Sequence, residues 1–151
     1  MIAVSDNTSA TELYRHVGDV GLSRLATRAK MRRFDVFGGS GTARVTAADL
    51  ARFFARIDEL TPARYRPYVR RLLSSVVAAQ AWGIAEVSRP QWRRFFKGGW
   101  RKTSRGNLVH QVARLERGRL SVAIAVLTDG NPNDAYGRAT VQGIAGRLLG
   151  G

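Results

Sequence analysis

The sequence predicts an α+β domain in which helices fill residues 1–80, and three antiparallel strands and a closing helix fill residues 90–151. Three observations predict it. Apolar residues recur at threes and fours as far as Val76. Past Trp82-Gly83 they give way to short runs rich in β-branched and aromatic residues, separated by glycine-containing links. After Pro132 the helical spacing returns.

The first helix is expected from Asn7 to Val17, because Ser5-Asp6-Asn7-Thr8 gathers capping residue types and Gly18 can end the run. Leu22, Leu25, Ala26 and Ala29 mark a second short helix closing near Met31. Gly38-Gly39-Ser40-Gly41 then breaks all periodicity and reads as a surface loop. Thr46 and Asp49 resemble a capping box ahead of a helix whose face is Leu50, Phe53, Phe54 and Ile57. Pro62 and Pro67 stand where another helix begins, with the stripe Tyr65, Tyr68, Val69, Leu72, Leu73 and Val76. Strands are expected at Trp92–Phe96, Leu108–Leu115 and Leu120–Thr128. The last strand is apolar on both faces from Val122 to Leu127, so it calls for cover on both sides. Hairpin links give it one neighbour, and its other edge is left open. Val141, Ile144, Ala145, Leu148 and Leu149 form the face of the closing helix.

Composition removes several classes of function. There is no cysteine, and the two histidines are His16 and His110, so a thiolate or histidine metal centre is not expected and no cofactor is implied. Asp6, Glu12 and Asp19 fall in the first twenty residues, which therefore do not read as a signal peptide. The longest apolar run, Val122–Leu127, is far short of the roughly 20 residues that cross a bilayer. The net charge of +14 by itself suggests an anionic partner. The arginines, however, run from Arg15 to Arg147 without gathering in one segment, and no nucleic-acid-binding module is recognisable, so no specific nucleic acid is implied.

Two motifs carry chemistry. Ser5-Asp6-Asn7 follows an apolar stretch and precedes a helix; alone it is explained equally well by capping. Lys97-Gly98-Gly99-Trp100 follows Phe95-Phe96 on a strand; alone it is a lysine beside a glycine turn. Their order decides the reading: Ser-Asp-Asn at a helix start, a helical stretch, the lysine-glycine strand, two more strands and a closing helix. In that order the chain resembles the C-terminal portion of class A β-lactamase-like, penicillin-binding serine hydrolases. Leu108-Val109-His110-Gln111 and Val126-Leu127-Thr128-Asp129-Gly130 are similar to the two strands that follow in such proteins.

The resemblance implies a β-lactamase/DD-peptidase-like fold truncated at the N-terminus, one partial domain over residues 1–151. It implies acyl transfer through a serine ester on β-lactam or peptidoglycan-type amides. The family's nucleophile and base come from a Ser-x-x-Lys; Thr27, Arg94 and Gly99 precede the three lysines by three residues, so this sequence has none. The nucleophile helix and two strands are therefore expected ahead of Met1, and that missing half or an oligomer is expected to cover the open strand edge. Alone, the chain is expected to be inactive.

By the same resemblance Ser5 relays a proton to the leaving nitrogen, Lys97 assists it and favours an anionic substrate, and Asn7 binds a substrate amide. The backbone of Trp100, after Gly98 and Gly99, supplies one oxyanion donor. Gly98 stands where the family has threonine or serine, which deletes a hydroxyl for the substrate carboxylate; Arg105 is the candidate replacement. Asp35 is the one acid between Val20 and Ala48 that could serve deacylation. Two alternatives stay open: a non-catalytic basic protein that binds nucleic acid or an anionic envelope polymer, and a degenerate homologue kept for interaction. Relatives of this kind are exported or held at the cell envelope; without a leader the default is cytoplasmic.

Overall fold

A computed structural model describes residues 1–150. The helical part comprises α1 (Asn7–Arg28), α2 (Ala47–Ala55), α3 (Ile57–Leu60) and α4 (Arg66–Ser74). After the short α5 (Ile84–Val87) come β1 (Arg93–Thr103), β2 (Gly106–Arg117), β3 (Leu120–Asn131) and α6 (Asp134–Leu148).

Local signals explain most boundaries. Asp6 caps α1 by accepting the Ser9 N–H at 2.6 Å. The two helices expected on either side of Gly18 join as one element with a kink there, where Gly18 takes φ 61° and ψ 178°. Thr46 caps α2 through the Asp49 N–H at 3.2 Å, as the capping-box spacing requires.

The sheet is an antiparallel meander of order β1-β2-β3, with Lys97 opposite Val112, Gly98 opposite Gln111 and Gly99 opposite His110. Phe96, Ala113, Leu115, Ile124 and Val126 turn to one face and pack with Ile84, Val141 and Ala145. Phe95 and Val112, with Ala123 and Ala125, turn to the other and pack against Phe54 and Leu73 of the helical part. β3 is thus covered on both faces over Ala123–Val126, while Leu120 and Val122 remain exposed. Among the described residues, no strand pairs with the outer edge of β1 or of β3.

Three expectations shift. The strands are longer than their apolar cores, because ladder hydrogen bonds carry β1 from Arg93 through both glycines to Thr103. Tyr65 and Tyr68 are exposed, so the stripe of α4 is buried at its C-terminal end, at Leu73. On α6, Val141 and Ala145 are buried whereas Ile144 and Leu148 are exposed; the sheet touches a strip spaced by fours, narrower than the apolar arc. Among the described residues, no helix is long and apolar enough to cross a membrane.

Candidate active site

The turn before α1 meets β1 across 92 residues of sequence, with Lys97 Nζ donating a hydrogen bond to Ser5 Oγ. The same ammonium donates to the Gly98 carbonyl at 2.6 Å. Ser5 in turn donates to Gln80 Oε1 at 2.7 Å, and Gln80 Nε2 donates to the Val4 carbonyl at 3.2 Å. A backbone bond from Val77 N–H to the Ala3 carbonyl at 3.0 Å straps the N-terminal segment along the stretch after α4. Ser5 is held in the left-handed region at φ 55°, a conformation that costs a non-glycine residue about 1 kcal/mol and that these contacts hold in place. Lys97 is half-buried with no carboxylate partner among the described residues, and burial pushes its pKa below the ordinary lysine value.

Asn7, at the first position of α1, lines a groove of about 950 Å³ together with Gly99, Trp100 and Arg105. The loop carrying Phe37 and Arg44 forms its opposite wall. Gly98 points elsewhere. A Cβ there would lie 2.9 Å from Cζ2 of the buried Trp82, so the indole occupies the room that a threonine or serine side chain needs. Gln111, opposite Gly98 and fully buried, seats that indole: its Nε2 donates to the Trp82 carbonyl at 2.7 Å and its Oε1 accepts the Ile84 N–H at 2.6 Å. Trp82 and Trp100 stack edge to face at 6.3 Å, and the Arg138 guanidinium sits over both rings.

Arg105 lies in the β1–β2 turn at the far end of the groove, about 20 Å of strand from Lys97, and is bound to Asp129. The residue beside the glycines is His110, opposite Gly99 and facing the groove. Its Nδ1 accepts the Thr128 N–H at 3.2 Å, which fixes the neutral ring with its proton on Nε2. Burial lowers its pKa against the opposing charge of Asp129. Asp35 is exposed, pairs through its backbone with Arg44, and does not line the groove.

A family model described as "Beta-lactamase enzyme family" matches residues 1–150. The chain belongs to the β-lactamase enzyme family. Among solved structures, PBP-A superposes with a TM-score of 0.81 at 15% identity, covering 99% of this chain and 57% of PBP-A. A β-lactamase from Sphaerobacter thermophilus DSM 20745 gives 0.80 at 18%, covering 96% and 57%. A PBP-A mutant in acyl-enzyme complex with penicillin-G gives 0.80 at 14%, covering 99% and 57%. The fold is therefore β-lactamase-like, and the chain spans less than two thirds of the length of these relatives. No curated protein matches the chain.

Within that fold, Ser5 and Lys97 are in contact, and Asn7, Gly99, Trp100 and Arg105 share one groove. Gln80, Trp82 and His110 were not legible in the sequence as site residues. Gln80 follows an irregular stretch and His110 sits in an ordinary alternating strand. Only the pairing of distant segments gives either a position.

Proposed function

We propose that this chain supplies the proton-relay and oxyanion side of a β-lactamase-like serine hydrolase that acts on β-lactam or peptidoglycan-type amides through an acyl-enzyme. The observation that carries the reading is the hydrogen bond from Lys97 Nζ to Ser5 Oγ, which joins the two motifs.

The chemistry follows from the donors present. Collapse of a tetrahedral adduct requires a proton at the leaving nitrogen; Ser5 gives one and regains one from the Lys97 ammonium, whose partial burial eases the loss. Asn7 binds the substrate amide from the groove wall. β1 has an open outer edge, so a backbone N–H near Trp100 is free to face the developing oxyanion. Gly98 offers no hydroxyl, and Trp82 blocks the space for one, so the anionic end of the substrate depends on Lys97 and on cations of the groove.

The nucleophile is the missing part, since none of the three lysines follows a serine at the Ser-x-x-Lys spacing. In this reading a segment outside these 151 residues provides it and pairs along the open edge of β3. The chain alone neither hydrolyses a chromogenic cephalosporin nor takes a fluorescent penicillin label. Adding a segment with the Ser-x-x-Lys helix and two strands restores labelling, and Ser5→Ala or Lys97→Ala then lowers the acylation rate by about 100-fold or more. Labelling of any serine in the isolated chain, or full-rate acylation in both variants, would refute the reading.

A further inference from the structure

The groove beside Ser5 and Lys97 carries two arginines that no acid among the described residues neutralises. Arg44 and Arg101 have no carboxylate within ion-pair distance among the described residues, and no acidic residue lines the groove. Each is held by something that a ligand can replace or share. Arg101 reaches across the groove to the Gly41 carbonyl at a long 3.5 Å, and Arg44 lies over the Phe37 ring with its guanidinium 4.9 Å from the centroid. His110, on the same face of the sheet as Arg101, adds a third donor. Asp35 and Arg44 also share a second depression with Arg32 and Arg33, but no ion pair joins them: the Asp35 carboxylate accepts the Val36 N–H.

From this juxtaposition we propose that the groove binds the acidic arm of a peptide substrate carrying at least two carboxylates, with Arg44 and Arg101 as the residues that select it. Guanidinium groups match carboxylates through paired N–H donors, and two on facing walls read two carboxylates on one ligand. The remaining lining favours a peptide over other polyanions. Phe37 and Trp100 give apolar walls, and the unpaired edge of β1 offers backbone donors and acceptors to an extended chain. Unneutralised cations in a partly enclosed groove lose their cost when such a ligand enters. The inference deepens the proposed function by naming the substrate class, and it rests on that reading only for the position of the scissile amide.

Binding to the 151-residue chain tests it without turnover. The probes are the capped peptide acetyl-Glu-Gly-Glu-amide and its uncharged counterpart acetyl-Gln-Gly-Gln-amide, titrated calorimetrically at about 50 and about 300 mM salt. The diacid should bind about tenfold or more tightly than the diamide at low salt, with the difference shrinking at high salt. Arg44→Ala and Arg101→Ala should each remove several-fold of that preference. Arg119→Ala, an exposed arginine of the β2–β3 turn at the opposite end of the sheet, should leave it intact. Equal binding of the two peptides overturns the proposal. So does an equal loss in all three variants, which reduces the effect to the net charge of +14. An oligothymidylate that binds more tightly than the diacid through the same two arginines overturns it in favour of nucleic acid. Loss of penicillin labelling in the completed domain, with diacid preference retained, removes the acyl-transfer reading and leaves the groove's selectivity standing.

Discussion

On one face of the sheet, at the Arg93 end of β1, Arg70 meets Asp58 at 2.6 Å and Glu116 at 2.8 Å, while Arg114 meets the same two acids at 3.2 and 2.8 Å. At the other end of the same face, Lys97, Arg44 and Arg101 make no ion pair among the described residues. The first cluster is two cations and two anions, closed, partly buried, and stacked on the core through Arg70 over Phe95 at 4.9 Å. It fastens α4 and the Asp58 segment to β2. The second is open to a groove. Arginine is abundant in both places, and the presence of carboxylates separates a fastening from a binding surface. Both clusters depend on the same framework, so substitutions can separate what holds the wall of the groove from what lies inside it.

The largest effect is expected at Asp49, which anchors the loop between the two regions. It is fully buried and accepts hydrogen bonds from the Arg32 and Arg33 N–H groups, the Thr46 hydroxyl and Arg52, at 2.7 to 2.9 Å. Asp49→Ala should cost about 3 kcal/mol in chemical denaturation, because several buried donors lose their acceptor together. It should also weaken diacid binding by freeing the loop that carries Arg44. Burial alone would raise the Asp49 pKa, but these donors bring it from 3.8 to about 2. A carboxylate whose folded pKa is depressed stabilises the fold above its unfolded value. That contribution is fully present above about pH 4 and fades as pH falls toward 2. Asp49→Asn should flatten this acid limb of the stability curve; an unchanged limb would show that the anchor does not hold the fold.

Glu116→Gln comes next. It leaves Arg70 and Arg114 sharing Asp58, whose pKa is already lowered chiefly by its hydrogen bond from Arg70. About 2 kcal/mol of stability should be lost, less than for a fully buried pair because these side chains retain some solvent. Diacid affinity should hold, since the network lies outside the groove. Parallel loss of both would mean that the two ends of the face are coupled.

Gly98→Thr should have the smallest effect on stability, about 1 to 2 kcal/mol, as its Cβ meets the Trp82 ring and displaces it. The change should register as altered tryptophan fluorescence, because Trp82 and Trp100 are in edge contact. A threonine accommodated with no spectral change would contradict the packing of the Trp82 ring into the space beside Gly98.

Most helices and all three strands were legible because their causes are local. Asp6 and Thr46 cap the helices they precede, Gly18 bends the chain where the periodicity breaks, and runs of β-branched and aromatic residues mark the strands. The motifs that resemble the family were equally visible, since order along the chain is a property of the sequence. Arg105 shows the limit: it stands close in sequence to the lysine-glycine strand, yet the extended backbone carries it to the end of the groove, where Asp129 binds it.

The sequence by itself determined the element order, the caps, the net charge and the absence of a Ser-x-x-Lys. The tertiary structure decided that Lys97 reaches Ser5, that Trp82 fills the space beside Gly98, that His110 stands by Gly99, and which arginines find acids. The physical reason is separation along the chain. Capping and periodicity act within a turn or a strand, whereas these contacts join segments tens of residues apart and exist only once the sheet register has been set by packing on both of its faces.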